Sequence, residues 1–442
     1  MTSASEESEL DELLARLFPI TRSLSGEGNR QTLEILREIA PITTVEVPSG
    51  SKVFDWTIPD EWSIRDAWIK NDKGEKLVDY KRSNLQVVSY SEPVHLRLRF
   101  EQLEPHIFYL ENRPEAIPYR TSYYNRGWGF GVTKNQYELL RTIGTELEVF
   151  VDSSFDSSGS MSIGELFIPG ELSDEYIVST YICHPAMAND NLSGMAVTAL
   201  LARDFVGKQR PRYSWRFIFV PETIGPLAYF SFREIDWRRI QGGFVVTCCG
   251  GPGPIGLKAT FLGDHTIDKA MNVSCKDNGV IPVRYPFSPE GSDERQYSSP
   301  GFRIPVGTIC KDKYYEYPEY HTSDDNLDFV TGQQLGQTLQ LYRDAIYILE
   351  QNRVVNSLVP FGEAQLGKRG LYSSIGGSNN QPSVGRDKEV EKEDYSKLIA
   401  WIMFLADGQH DLIDVARQTK IRFDQVIAVA EQLKKHRLIE LR

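Results

Sequence analysis

Residues 175–197 read EYIVSTYICHPAMANDNLSGMAV, and the change of character along this stretch decides the fold. Up to Cys183 it is a run of β-branched and aromatic residues, the pattern of a strand covered on both faces. Residues 191–206, NLSGMAVTALLARDFV, then repeat apolar positions at helical spacing. His184 closes the strand and Asp190 stands just before the helix, which Asn191 and Ser193 open. In open α/β sheets, side chains at the carboxyl ends of strands converge on one crevice. Imidazole nitrogen and carboxylate oxygen in such a crevice are the donor types of a catalytic zinc. Asp190 and Asn191 suit a helix cap equally well.

Working outward, the same alternation recurs. RYSWRFIFVPE (212–222), GGFVVTCCGG (242–251) and IPVGTI (304–309) read as strands. Between and after them lie the amphipathic segments 225–235, 264–279 and 331–352. The spacing predicts an α/β domain with a mixed, mainly parallel sheet covered by helices. Glu222 lies at a second strand end beside a glycine turn, where a carboxylate can serve as general base. The Tyr-rich stretch YYEYPEYHTSDDNLDFV (314–330) holds His321, with Asp324 and Asp325 as candidate partners for its ring. Upstream, Ser292, Asp293 and Glu294 are candidates for shaping a pocket. A lone histidine in such a loop is commonly just hydrogen-bonded; three strand-end signals on one sheet favour a metal.

Residues 42–130 differ. Short alternating segments rich in Val, Ile, Trp and Tyr, separated by PSG, PDE and NDKG, read as an antiparallel β domain inserted between 1–41 and 131–355. Residues 356–391 read as a Gly-, Ser- and Asn-rich linker, and 392–442 as three short helices of a winged-helix unit. With 49 Lys+Arg against 61 Asp+Glu the chain carries −12, which argues against a nucleic-acid coat. Residues 387–442 hold 10 basic and 11 acidic side chains, net −1, so the tail suits protein docking better than a DNA groove. The 5 cysteines are odd in number and show no CxxC spacing, which argues against a disulfide framework and a structural zinc finger. No apolar run spans a membrane, and the acidic N-terminus lacks a signal peptide's features, so a cytoplasmic location is expected.

The segments LFPITRSLSGEGNRQTL (17–33), SYYNRGWGFGVT (122–133), TYICHPAMANDNLSGMAV (180–197) and YHTSDDNLDF (320–329) carry a resemblance. The chain resembles the M28-type zinc aminopeptidases. Among them it is similar to the aminopeptidase-like proteins of unknown function with an inserted β domain and a C-terminal winged helix. The resemblance covers nearly the whole chain. It implies His184, Asp190 and His321 as metal ligands and Glu222 as the base that activates water. It also exposes departures. The acid expected after Glu222 is Thr223, and the acid expected after the next strand is Thr247 or Cys248. Two missing carboxylates imply one zinc, not two, with Cys248 a less favoured extra donor. The family's Ser-Asp-His loop reads Ser292–Asp293–Glu294.

The expected activity is that of a zinc-dependent aminopeptidase or small-amide amidohydrolase. Tyr314 or Tyr315 is the candidate for steadying the oxyanion. Asp293, Glu294, Asp324 and Asp325 are candidates for holding a substrate α-amine. Tyr124 and Trp128, in the aromatic end of the insert, are candidates for roofing the site over a short peptide or small amide. The alternative is a winged-helix regulator or docking protein with a degenerate peptidase domain. The insert or the tail would provide any protein partner or homo-oligomer contact.

Overall fold

The computed structural model describes residues 3–233, 235–371 and 392–442, with side chains from Tyr395 onward in the last segment. Residues 372–391, the larger part of the expected linker, lie outside the described residues. The chain divides into two units, Met1–Gly263 with Val283–Gln340, and Asp264–Pro282 with Leu341–Arg442.

The first unit is built on an eight-stranded sheet. Its strands are β1 (Thr43–Pro48), β2 (Ser160–Ile168), β3 (Glu175–Tyr181) and β4 (Ser214–Val220). They continue with β5 (Ile240–Val245), β6 (Ile255–Lys258), β7 (Val283–Tyr285) and β8 (Val306–Lys311). The spatial order is β1-β2-β4-β3-β5-β8-β6-β7. The centre, β4-β3-β5-β8, is parallel, and β6 pairs parallel with β7. β1, β2 and the β8–β6 junction are antiparallel. Every residue of β3 and β4 is buried, as expected for central strands covered on both faces. Helices Ala4–Leu17, Glu27–Ile39 and Gly194–Arg203 bury Leu13, Leu33, Leu36 and Leu200, among others.

The insert carries an antiparallel sheet ordered Lys76–Asp79, Glu61–Lys70, Leu147–Asp156, Val94–Leu98. Its core includes Ala67, Ile69, Phe100, Phe130, Tyr137, Leu140, Val149 and Val151. The expected boundaries at 42 and 130 therefore shift. Thr43–Pro48 is the edge strand of the large sheet, and helix Lys134–Thr142 and strand Leu147–Asp156 pack within the insert. Leu147–Asp156 alternates buried and partly buried positions, which fits a sheet with one open face. The edge role of Thr43–Pro48 has no mark in its composition.

The second unit contains a winged helix. Helices Lys392–Leu405, Leu412–Thr419 and Phe423–Lys435 accompany a sheet ordered Asp407–Asp411, Val354–Ser357, Ile439–Leu441. Val354–Ser357 overlaps the expected linker start at 356, so this unit begins earlier than 392. Helix Thr266–Asp277 belongs to the same unit. Its Lys269 pairs with Asp414 at 2.9 Å, and Asp277 accepts from the Phe423 amide at 2.8 Å.

Candidate metal centre

The turn after β3 is held almost entirely by its own polar residues. Asn189 donates to the Lys311 carbonyl at 3.1 Å and accepts from the Gly250 amide at 2.8 Å. Asn191 donates to Thr180 Oγ1 at 2.9 Å and to the Tyr181 carbonyl at 3.1 Å. Ser193 donates to the Asn189 carbonyl at 2.6 Å and accepts from the Cys249 amide at 2.8 Å. These bonds satisfy a buried, irregular backbone that regular structure cannot. Gly194 opens the following helix; a Cβ there would lie 2.3 Å from Asn191 Oδ1 and 2.4 Å from the Val246 carbonyl. Gly194→Ala is expected to lower stability by about 2 kcal/mol or more, because backbone has to move to relieve the clash. Thermal or denaturant unfolding reads this; an unchanged midpoint would show that the turn yields freely.

That turn presents Asp190. Its Oδ2 lies 3.0 Å from His321 Nε2 and 4.0 Å from His184 Nε2. One donor atom from each of His184, Asp190 and His321 falls within 4.8 Å of the others, the spacing of a shared cation. His184 and Asp190 are buried, while His321 is partly open. Asp190 Oδ2 and His321 Nε2 are buried with no hydrogen-bond partner. Two orphaned polar atoms facing each other are costly unless a ligand completes them. Burial lowers His184 to about 4, leaving a neutral ring able to donate a lone pair. Burial alone would raise Asp190, but the two histidines and Tyr181 outweigh it and hold the carboxylate below its usual range. The residues present thus fit a zinc ion.

The other oxygen of Asp190 accepts from the Tyr181 hydroxyl, which also bonds Thr247 Oγ1 at 2.6 Å. A phenol and a threonine therefore occupy the side of Asp190 where a second carboxylate was missing from the sequence. Cys248 is buried among Cys310, Tyr314 and Tyr317 and does not join the donor group among the described residues.

Glu222 Oε2 lies 3.9 Å from His184 Nε2. Burial, then the charge of Asp190, pushes its carboxyl up to about 7. Its backbone amide donates to Cys183 Sγ at 3.2 Å. The next residue, Thr223, has φ 71° and donates its amide to Asp293 Oδ1 at 2.7 Å.

Several of the expected site residues make local contacts of their own. Asp325 is fully buried and accepts from the amides of Asn189 (2.6 Å) and Asp190 (3.0 Å) and from the Tyr317 hydroxyl (3.0 Å). It shapes the Asp190 turn. Asp324 is paired with Arg113 at 3.0 Å. Glu294 lies 3.4 Å from Lys258 and accepts from Thr308 at 2.9 Å. The Tyr314 hydroxyl is taken by Lys258, and the exposed Tyr315 ring packs edge-on to Tyr320. Trp128 stacks on His106, centroids 3.6 Å apart, inside the insert. Tyr124 lines a cavity of about 340 Å³ with Tyr90, Tyr123, Asp60, Arg126 and Phe155.

Other residues come forward. The Tyr119 ring lies 5.2 Å from His184 and 5.1 Å from His321, and its amide donates to the His321 carbonyl at 2.8 Å. Tyr119 bonds Tyr123, hydroxyl to hydroxyl, at 2.6 Å. Tyr320 stacks on His321 at 3.9 Å. The fully buried Arg22 donates to the His184 carbonyl at 2.8 Å, and burial lowers its guanidinium to about 9. The dense aromatic run at 117–130 was a visible signal for Tyr119. A single arginine beside a turn left no such signal for Arg22.

A family model described as a domain of unknown function, DUF4910, matches residues 11–352, and a winged helix-turn-helix model matches 353–441. A Clostridium acetobutylicum protein is 40% identical over 433 residues, 98% of this chain and 96% of its own length. Its name gives it an aminopeptidase-like domain and a place in polysaccharide biosynthesis. A crystal structure from C. acetobutylicum, described as that of a peptidase, superposes with TM-score 0.88 at 38% identity, covering 99% of this chain and 97% of that one. The zinc aminopeptidase BSAP of Bacillus subtilis shares the fold at TM-score 0.56 and 15% identity, covering 78% of this chain and 93% of that one.

Proposed function

The chain belongs to the DUF4910 family, and on that premise we propose that it is a zinc-dependent hydrolase of peptide or small-amide bonds. The supporting observation is the convergence of His184, Asp190 and His321, with orphaned buried donor atoms, beside a carboxyl 3.9 Å from His184. Zinc held by these three residues would supply a Lewis acid for the carbonyl and the attacking water. Glu222 takes a proton from that water as its oxygen bonds to the carbonyl carbon. It returns the proton to the amide nitrogen as the C–N bond breaks, so amide and water become carboxylate and ammonium. A carboxyl near 7 can both accept and release that proton; a cation beside it lowers the value and favours the accepting form. Asp325 and Tyr181 position Asp190, and Arg22 fixes the backbone of His184.

The test is release of amine from a panel of aminoacyl amides and N-acyl amides before chelation, after it, and after zinc is restored. Activity is expected to vanish and return. A fully zinc-loaded protein silent on the whole panel would sink the reading.

For the winged helix we infer protein docking. Helix Phe423–Lys435 holds the place of a recognition helix, whose first residues meet base edges in DNA complexes. Here its first turn is engaged: Arg422 donates to the Asp277 carbonyl at 2.9 Å and the Phe423 amide to the Asp277 side chain. The full chain is expected to show no salt-sensitive binding to duplex DNA in a gel-shift titration. A fall in affinity of roughly tenfold or more between low and physiological salt would overturn this.

A further inference from the structure

The charged groups beside Glu222 divide unevenly. An aminopeptidase needs an available carboxylate to hold the free α-ammonium of its substrate. The acids at this site are largely engaged: Asp325 with two amides and Tyr317, Asp324 with Arg113, and Glu294 through Oε1 with Lys258 and Thr308, its Oε2 being buried without a partner. Asp293 accepts from Thr223 through Oδ1, its Oδ2 being buried without a partner, and burial, then the nearby Glu222, pushes its carboxyl up.

The cation beside them has no carboxylate partner among the described residues. Arg295 donates through Nη2 to Thr223 Oγ1 at 2.9 Å, which anchors it to the strand end that carries Glu222. No carboxylate lies within 4.0 Å of it among the described residues, and its Nε is buried without a partner. Its charge is nonetheless felt at Glu222, Asp293 and Tyr124. Arg30 with Glu61, Arg113 with Asp324, Arg126 with Asp60, and Arg216 with Glu165 and Glu175 are matched in the same unit, while the fully buried Arg22 is spent on the Leu17 and His184 carbonyls. A guanidinium held in place at a reaction centre, with a donor left over, is built for a planar anion.

We propose that Arg295 recognises a carboxylate on the substrate, so that the amide cleaved here belongs to an anionic molecule rather than to a peptide with a free N-terminal amine. This rests on the hydrolase reading above. The carboxylate can sit on either side of the scissile bond. On the amine side the substrate is an N-acyl amino acid or a similar acid; on the acyl side it is the amide of a dicarboxylic acid.

Three substrate sets separate these cases with zinc-loaded protein: N-acetyl amino acids beside their methyl esters, N-succinyl amides beside their methyl esters, and aminoacyl amides with a free amine. One carboxylate set is expected to exceed its neutral ester by about 10- to 100-fold in kcat/KM, chiefly through KM. That charged-to-neutral ratio is expected to fall towards one in Arg295→Gln and to recover in part in Arg295→Lys. Equal losses on charged and neutral substrates, leaving the ratio intact, would show that Arg295 only supports Thr223 and would overturn the proposal. Preference for free-amine amides would do the same. Calorimetry of metal-free protein with succinate and with N-acetylglycine supplies a readout independent of turnover. Binding that Arg295→Gln abolishes, with no amide hydrolysed, leaves the anion site standing and removes the hydrolase. Hydrolysis with neither carboxylate preference nor Arg295-dependent binding removes the anion site and keeps the hydrolase.

Discussion

Purified protein is expected to carry one zinc per chain, and His184→Ala, Asp190→Ala and His321→Ala are each expected to lose it. The three donor atoms lie within 4.8 Å of one another, so removing any one leaves two ligands. Structural and catalytic zinc sites keep at least three protein ligands. Loss of a residue that merely orients a ligand already weakens metal binding by about 10- to 100-fold; loss of a ligand is expected to exceed that. A second ion is disfavoured for a local reason. The free side of Asp190 is bonded by Tyr181, and Thr223 and Thr247 stand where two further carboxylates would be needed. Elemental analysis after dialysis counts the metal, and a zinc-dependent rise in melting temperature, absent in the variants, confirms where it binds. Two ions per chain, or one that survives Asp190→Ala, would refute the assignment.

Glu222→Gln is expected to lower kcat by roughly a thousandfold, within the range that a positioned proton carrier contributes. Glutamine keeps the shape and can still hydrogen-bond, but it cannot take a proton from water. Zinc content and melting temperature should stay close to those of the parent, because Glu222 is 3.9 Å from His184 and is not among the three donors. Single-turnover measurements then separate the slowed chemistry from binding. A variant that keeps full activity would move the base elsewhere; one that loses its zinc would make Glu222 a ligand.

The centre of the fold was legible because β3 and β4 are buried on both faces and so read as unbroken apolar runs. β6 and β7 escaped notice. They have 4 and 3 residues, too short for any period to show. The pairing between the insert's flanks and the main sheet is illegible for a different reason. Pairing partners far apart in sequence, such as Thr43 with Glu165, leave no local trace. At the candidate site, His184 and Glu222 are legible just past strand ends and Asp190 just before a helix, whereas His321 lies inside a loop and is legible only as a histidine among tyrosines. Asp325 reads from sequence both as an acid for substrate and as a partner for the His321 ring, since nothing in YHTSDDNLDF distinguishes a carboxylate that meets water from one that accepts from two buried amides. Arg295 went unread because an arginine's significance here lies in the partner it lacks, which only the fold reveals.

The bonds from Asp325 to the amides of Asn189 and Asp190 also set a clock for biosynthesis. Two of the donors are made early, at positions 184 and 190, and wait while more than a hundred further residues are translated. Until residues 321–325 leave the ribosome, the turn that presents Asp190 lacks its acceptor and the third donor does not exist. Contacts of such long sequence separation form late. A nascent chain stalled before residue 321 should therefore bind no zinc at this centre, although its main sheet ends at Lys311, whereas one from which residues 321–325 have emerged can load its metal before the C-terminal helices are made.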